Sequence, residues 1–302
     1  VYPDKYESFL SAMALVNFDF GSILSSSCLF KTDFYDKLVF ATVAPLVMSL
    51  ACAVTFFIAK MRNRNSTTAV AIVIHKHVSI VLFIVFFVYS SVSFTIFQTF
   101  VCDSLDDGKA YLRADYSITC NTDRHKACLI YASVMVFVYP VGIPAFFAFW
   151  LVCHRRELQK PGREEASDLK AYRAIWATYK PSRYYYEVVE FGRRIMLTGV
   201  AVFVLPDTAE QIAIVLLLAV VFVFISESIS PFESSSDMWI YRWGNGVILA
   251  SMYVAFLLKV DLAGEESRGS AAITVLLIAA HVFMIFAVGL QAFLLMRGLC
   301  AS

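Results

Sequence analysis

The sequence predicts an all-α membrane protein, a polytopic transmembrane helix bundle of about seven spans. Of its 302 residues, 59% are hydrophobic and 16% are charged, an apolar share well above that of an ordinary soluble domain. The apolar residues are grouped in runs close to the ~20 residues that cross a bilayer as a helix. The net charge of +1 leaves no basic surplus for nucleic-acid binding. The lipid bilayer is therefore the partner that composition predicts.

The first 37 residues are predicted to lie outside the bundle. They are mildly apolar but are interrupted by Asp19 and Gly21, so we expect residues 1–37 to form an outer interfacial segment rather than a span. The chain begins at Val1, without Met and without a signal-peptide pattern. We therefore expect a piece of a longer protein, with residues 38–302 forming the helix bundle.

Three spans are predicted in the first half of the chain. Residues 38–59 contain 22 residues without a charge, residues 78–97 form a second apolar run, and residues 127–152 form a third. His75 and His77 stand just before the second run. Because positions two apart on a helix face different directions, we expect these histidines to anchor the helix at the interface rather than to relay protons.

A kink is predicted in the third span. Residues 139–144 read Tyr-Pro-Val-Gly-Ile-Pro. Pro140 and Pro144 each remove a helical hydrogen bond, and Gly142 between them allows close approach of backbones. We expect the helix to bend near the middle of the membrane, where neighbouring helices can satisfy the freed backbone groups.

Two loops of contrasting composition connect the spans. Residues 98–126 are rich in Asp and turn residues and are predicted to form an outer loop. Residues 154–187 are strongly basic, which predicts a cytosolic loop by the positive-inside rule. Within this loop, residues 167–179 are predicted to form one short amphipathic helix along the inner leaflet. Its apolar side comprises Leu169, Tyr172, Ile175, Trp176 and Tyr179.

The fourth span brings charged residues into the membrane. Residues 195–205 are eleven uncharged residues, too few for the ~20 that a span requires, so the helix must recruit residues 188–194. Glu190 lies three and four residues before Arg193 and Arg194, a spacing that places opposite charges on one helical face. An ion pair there would lower the cost of burying each partner. Alternatively, the arginines anchor the helix at a cytosolic interface.

Three further spans are predicted, at residues 212–229, 238–258 and 271–296. The sixth opens with aromatic residues typical of an interfacial belt. In the seventh, His281 and Gln291 are expected to form hydrogen bonds between helices. Near the end of the fifth span, Glu227 adds an ionisable group to those of the fourth. The predicted intramembrane charge cluster comprises Glu187, Glu190, Arg193, Arg194 and Glu227.

The distribution of basic residues predicts the orientation of the bundle. The proposed cytosolic segments hold 16 of the 25 Lys and Arg residues, and the opposite side holds 9. By the positive-inside rule, the N-terminus lies outside and the C-terminus lies in the cytosol.

Cysteine positions support the same orientation. Cys28, Cys102, Cys120 and Cys128 all fall on the proposed outer side, where an oxidising compartment permits disulfides. Cys102 and Cys120 enclose seventeen residues, and closing that loop should contribute about 3 kcal/mol. This pair is the favoured disulfide, although Cys28 or Cys128 could take one of these partners instead.

Four runs of residues carry a family resemblance. They are Phe-Gln-Thr-Phe-Val-Cys at 97–102, Tyr-Leu-Arg-Ala-Asp-Tyr-Ser-Ile-Thr-Cys at 111–120, Tyr-Pro-Val-Gly-Ile-Pro at 139–144 and Tyr-Tyr-Glu-Val-Val-Glu-Phe-Gly-Arg-Arg at 185–194. They resemble the membrane regions of large algal and oomycete proteins with cysteine-rich ectodomains, which are similar to TRP-like membrane proteins. The resemblance covers most of the chain. It implies a channel-like or transport-associated protein, an extracellular domain upstream in the same polypeptide and further spans before Val1, and it assigns no substrate.

Two functional hypotheses remain open. A cation channel would use Glu190, Glu227 and the kinked third span to line a shared pore. A non-conducting anchor or receptor subunit would hold an extracellular domain and needs only the predicted topology. A retinal-binding receptor is excluded, because residues 271–296 contain no Lys for the chromophore. In either case we expect a homo- or hetero-oligomer in the plasma membrane, the ciliary membrane or the secretory pathway.

Enzymatic function is not predicted. The sequence has no phosphate-binding glycine loop and no nucleophile with a base at motif spacing, so we expect no catalytic residue and no cofactor. Asp103, Asp106 and Asp107 precede Gly108 but lack the spacing of an EF-hand. A solvated turn is therefore favoured over a calcium loop, and no metal site is predicted.

Overall fold

A computed structural model describes residues 33–105, 108–205, 208–260, 275–276 and 278–290. The predicted interfacial segment therefore lies outside the described residues, except for its last five positions. The described chain divides into two compact units, one ending at Phe203 and the other beginning at Val204.

The first unit is mainly helical. Its helices are α1 (Phe34–Arg62), α2 (Thr67–Gln98), α3 (Asp123–Val138), α4 (Gly142–Cys153), α5 (Arg155–Leu158), α6 (Ser167–Lys170), α7 (Arg173–Trp176) and α8 (Tyr186–Phe203). Helix α2 packs against α1, α3 and α8, and α8 also packs against α4. In an apolar stretch of 18 residues, 39% of the α2 residues are buried, whereas the share in α1 is 17%. Helix α2 is thus the central element of this unit.

Helix α1 begins earlier than predicted, at Phe34 rather than at residue 38. The Asp33 side chain accepts hydrogen bonds from the backbone N–H groups of Tyr35 and Asp36. In turn, the Asp36 side chain accepts a hydrogen bond from the backbone N–H of Asp33. This capping box satisfies the exposed N–H groups of the first turn. Capping therefore extends the helix beyond its apolar run.

The loop between α2 and α3, predicted to lie on the outer side, contains a small sheet that was not predicted. Strands β1 (Cys102–Ser104), β2 (Ala110–Leu112) and β3 (Asp115–Thr119) form an antiparallel sheet in the order β1-β2-β3. Gly108 lies at the turn between β1 and β2 with a φ of +74°, a conformation that glycine adopts without steric cost. In the described residues, the other regular elements are all helices.

The predicted third span is broken rather than only bent. Helix α3 ends at Val138 and α4 begins at Gly142. Pro140 lies in the break, whereas Pro144 is the third residue of α4, where the missing N–H would have had no partner within the helix. A Cβ atom on Gly142 would lie 2.5 Å from the Phe137 carbonyl oxygen, so the break requires glycine at this position.

Two tyrosine hydroxyls form hydrogen bonds that join the break to α1 and α2. The Tyr139 hydroxyl donates to the Thr42 carbonyl of α1 at 2.6 Å. The Tyr89 hydroxyl of α2 donates to the Pro140 carbonyl at 3.2 Å. Both tyrosines are buried. The break is therefore held by α1 and α2, which fits the requirement that backbone polar groups away from water find partners.

The predicted single amphipathic helix at residues 167–179 is wrong. The segment forms two four-residue helices, α6 and α7. Its apolar residues do face one way, but they are buried within the unit rather than spread along a surface. Leu169, Ile175 and Trp176 are fully buried against side chains of α2, α4 and α8.

Two buried clusters lie at opposite ends of the first unit. One surrounds the sheet and includes Tyr35, Ile96, Leu112 and Tyr139; we call this the sheet end. The other surrounds the basic loop and includes Tyr89, Phe147, Trp176 and Phe191; we call this the loop end. Since α1 runs from the sheet end to the loop end and α2 returns, the two polar segments are separated by the length of the helices.

The second unit contains three helices among its described residues. They are α9 (Ala209–Ile229), α10 (Ser235–Lys259) and α11 (Ile278–Leu290). Helices α9 and α10 pack against each other. The predicted seventh span lies partly outside the described residues, and Gln291 is among those outside.

Four helical segments of the described chain are long and apolar enough to cross a membrane, rather than the seven predicted. They are α1, α2, the α3–α4 segment and α9. The predicted fourth and sixth spans are helices, α8 and α10, but charged and polar side chains lower their hydropathy. Helix α11 is apolar but short in its described part. The four segments expose many large apolar side chains, which is favourable against lipid and unfavourable in water.

Candidate functional site

The charged residues of α8 form a buried site at the loop end. Arg193 donates from Nη2 to Glu190 Oε2 at 2.8 Å and from Nε to the same oxygen at 2.9 Å. The side chains are 14% and 6% exposed, respectively. They are three positions apart along the helix, so the pair lies on one face. The structure thus brings Glu190 and Arg193 together, as their spacing predicts.

Glu187 has a different partner. The Tyr179 hydroxyl, at the end of the basic loop, donates to Glu187 Oε2 at 2.7 Å, and both residues are buried. Burial, followed by the neighbouring Glu187 carboxylate, raises the pKa of Tyr179 far above its ordinary value. The phenol therefore stays protonated and remains a donor. This contact ties the loop to the first turn of α8.

A buried arginine organises the loop from within. Arg163 is 5% exposed, and its guanidinium lies 4.7 Å from the centroid of the Trp176 ring. It donates to the carbonyl oxygens of Leu158 and Tyr179. The Trp176 indole N–H donates to the Leu169 carbonyl at 3.1 Å. These bonds connect α5, α6, α7 and the residues before α8, so the loop is a folded element.

Aromatic packing positions α8 against the central helices. The Phe191 ring lies 5.5 Å from Phe86, 5.2 Å from Phe147 and 4.6 Å from Tyr89, measured between ring centroids. Such pairs add about 0.5–1.5 kcal/mol each beyond the area they bury. The Arg194 guanidinium also lies 5.8 Å from the Phe191 ring centroid. The charged turn of α8 is therefore anchored by the Phe191 ring to aromatic side chains of α2 and α4.

Glu227 belongs to the second unit and has its own partner there. Arg242 of α10 donates from Nε to Glu227 Oε1 at 2.8 Å and from Nη2 to Oε2 at 2.6 Å. This two-point geometry is the stronger form of a carboxylate–guanidinium pair. The side chains are 38% and 54% exposed for Glu227 and Arg242. The five residues of the predicted charge cluster are therefore divided between the two units, with four on α8 and Glu227 on α9.

At the sheet end, the predicted Cys102–Cys120 disulfide is present. It joins the start of β1 to the residue after β3 and leaves Cys128 as a free, half-buried thiol. Cys28 lies outside the described residues. Buried His125 approaches the bridge, with Nε2 3.6 Å from Cys102 Sγ and Nδ1 2.8 Å from the Tyr35 hydroxyl.

The same residues form a cluster of potential metal ligands among the described residues. Ligand atoms of Cys102, Cys120 and His125 lie within 4.8 Å of one another. In the disulfide, however, neither sulfur is the thiolate that a zinc ion binds. The bridged state therefore does not supply a zinc site.

Asp103 of β1 forms an ion pair with Arg113, the residue that follows β2. Arg113 donates from Nε to Asp103 Oδ2 at 2.9 Å and also from Nη2 to Oδ1. The Tyr116 hydroxyl donates to Oδ2 at 2.8 Å. The Arg113 hydrogen bonds hold the pKa of Asp103 below its ordinary value, and Tyr116 adds to the effect. Asp103 is thus occupied within the sheet, and Asp106 and Asp107 lie outside the described residues.

Several of these contacts had no signal in the sequence. Arg163 is one of many basic residues in its loop, so its composition indicates a solvated charge. Tyr179 was assigned to an apolar helix face, and the Asp103–Arg113 pair depends on the pairing of strands that were not predicted. Each contact depends on chain segments that meet in space rather than on local spacing.

Comparison with protein-family models, curated proteins and solved structures found no match to this chain. Its class is therefore defined by the fold. Four long apolar helical segments, with polar segments at both ends of the first unit, fit an integral membrane protein of the α-helical type.

Proposed function

We propose that this chain is a structural membrane protein, a non-conducting anchor. Its helices hold the disulfide-bonded sheet at one end and the folded basic loop at the other. In this role it would support an extracellular domain of the same polypeptide or assemble with other membrane proteins.

One observation supports this proposal most strongly. The two acidic side chains of the channel hypothesis are each paired with an arginine, Glu190 with Arg193 and Glu227 with Arg242, and the neighbouring Glu187 accepts a hydrogen bond from Tyr179. A carboxylate that attracts cations in a pore must offer its charge to the permeating ion. An arginine that neutralises a carboxylate weakens its attraction for a passing cation, and a buried pair such as Glu190–Arg193 contributes to the specificity of folding instead.

The channel-like function is the second candidate. It is favoured by the position of Glu190, which is 5% exposed beside apolar rings of the bundle. Ionisable residues within membrane helices are costly and often mark ion or proton pathways. This candidate is also the function that the TRP-like resemblance implies.

Ion flux distinguishes the two candidates. Purified protein is reconstituted into liposomes loaded with a potassium- or sodium-sensitive dye, and flux is compared with empty liposomes. The anchor predicts no protein-dependent flux for the native chain, for Glu190→Gln or for the exposed control Glu157→Gln. A cation flux that Glu190→Gln alters and Glu157→Gln leaves unchanged would overturn the proposal in favour of the channel.

A further inference from the structure

An apolar cavity lies among α1, α2, α4 and the basic loop, at the loop end of the first unit. Its volume is about 240 Å³. Its lining includes Cys52, Ala53 and Phe56 of α1, His77 of α2, Phe146 of α4 and Tyr172 of the loop. It is separate from the charged turn of α8.

Two of the polar atoms in the cavity wall form hydrogen bonds to backbone carbonyl oxygens. The His77 Nδ1–H donates to the Val73 carbonyl at 2.8 Å, within its own helix. The Cys52 thiol donates to the His77 carbonyl at 3.6 Å. The Phe56 and His77 rings meet edge to face, with centroids 5.7 Å apart. The interior therefore favours a hydrocarbon chain over a polar ligand.

A cationic side chain, that of Lys60, lies beside one of the rings that line the cavity. Cys52, Phe56 and Lys60 are spaced four residues apart and share one face of α1. Lys60 is thus about 6 Å further along the helix than Phe56, and its Nζ lies 5.8 Å from the Phe56 ring centroid. Arg173 directly follows Tyr172, and both Lys60 and Arg173 are exposed.

We propose that this cavity is a binding site for an anionic phospholipid. An acyl chain occupies the apolar space between α1, α2 and α4, and the phosphate lies at Lys60, while Arg173, which follows the lining residue Tyr172 in the sequence, adds a second exposed positive charge to this end of the unit. A long cationic side chain at a helix end reaches the headgroup layer, and basic pockets between transmembrane helices bind anionic headgroups. A zwitterionic lipid fits less well, because its own ammonium group competes with Lys60 for the phosphate.

The direct test measures lipid binding to the delipidated full chain in detergent. Phosphatidylglycerol and phosphatidylcholine are titrated separately and counted by native mass spectrometry. We expect phosphatidylglycerol to bind more tightly, and Lys60→Gln to weaken it about fivefold, the effect of losing roughly 1 kcal/mol per basic residue. The control Arg62→Gln removes a charge two residues away, about 200° around the helix, and should leave the affinity unchanged.

Two further measurements separate the site from general charge attraction. Ala53→Leu narrows the cavity and should weaken phosphatidylglycerol binding, although it leaves every charge in place. Glycerol phosphate, which carries the charge without acyl chains, should not compete. The proposal is overturned if both lipids bind equally, if Lys60→Gln and Arg62→Gln lose the same affinity, or if Ala53→Leu binds as the native chain does.

Discussion

Single residues matter most where the helices leave their regular path. At the break between α3 and α4, Gly142 leaves room for the Phe137 carbonyl, and tyrosines from the break and from α2 satisfy nearby carbonyls. At the loop end, two buried pairs satisfy their own polar groups: Tyr179 donates to Glu187, and Arg193 donates to Glu190. In both places the cost of a wrong side chain is a clash or an unpaired buried group.

Substitution of Gly142 by Ala should destabilise the protein. The added Cβ would lie 2.5 Å from the Phe137 carbonyl oxygen, so backbone must shift, and strain of this kind typically costs about 1–3 kcal/mol. The control is Gly192→Ala in α8, where a Cβ meets nothing within 4 Å. That change should be neutral or stabilising, because Ala is the better helix former by about 1 kcal/mol. Equal thermal-unfolding midpoints in detergent for the two variants would contradict the stated role of Gly142.

Loss of the Tyr179 hydroxyl should loosen the basic loop. In Tyr179→Phe, the buried Glu187 carboxylate loses a donor, which costs about 1–3 kcal/mol. We expect a lower unfolding midpoint and faster tryptic cleavage at exposed Arg173, because cleavage requires local opening. The matched variant Tyr185→Phe removes a hydroxyl that receives a 3.3 Å hydrogen bond from Arg183 at an exposed position, and it should change neither measurement. Similar cleavage rates for the two variants would show that the Tyr179–Glu187 bond does not hold the loop.

At the scale of elements, the sheet and the loop are small folded structures attached to apolar helices. The sheet is held by the disulfide and by the Asp103–Arg113 pair. The loop is held by buried Arg163 and Trp176. Each therefore has contacts that can be weakened without removing a transmembrane helix.

The sheet should lose stability in acid. Arg113 holds the pKa of Asp103 below its ordinary value, so ionised Asp103 stabilises the folded sheet above the unfolded pKa near ~3.9. That contribution is lost as pH falls through the lower, folded-state pKa. Hydrogen-exchange protection of β1 and β2 should decrease over this acidic range. Asp103→Asn should flatten the profile, whereas the exposed control Asp123→Asn should keep it, and an unchanged profile in Asp103→Asn would refute the assignment.

The sequence predicted elements whose signal is local. Apolar runs predicted the long helices, and the Glu190–Arg193 spacing predicted their ion pair. The sheet was missed because its strands are three to five residues long and pair across turns that are polar in composition. The helix predicted at residues 167–179 has suitable periodicity, but a continuous helix would separate Leu169 and Trp176 by about 10 Å. The folded loop instead brings the Trp176 N–H to the Leu169 carbonyl at 3.1 Å.

At the scale of the whole molecule, composition predicted the class, and four of the seven predicted spans are long and apolar enough to cross a membrane in the part of the chain that the structure describes. A hydrophobic run that approaches ~20 residues predicts a span, whatever the helix later packs against. Helix α8 reaches its length by including two Glu and two Arg residues, which lower its hydropathy, and it packs against α2 and α4. Such a helix is recognised from its neighbours rather than from its own sequence.

The most direct test of the account is the sidedness of the sheet and the loop in intact cells. Lys126→Cys at the sheet end and Lys160→Cys in the basic loop are introduced separately, and the other cysteines outside the Cys102–Cys120 bridge are replaced. Both positions are exposed. A membrane-impermeant maleimide should label Lys126→Cys in intact cells and Lys160→Cys only after permeabilisation. Labelling of both variants from the same side of an intact membrane would contradict a bundle that crosses the bilayer between the sheet and the loop.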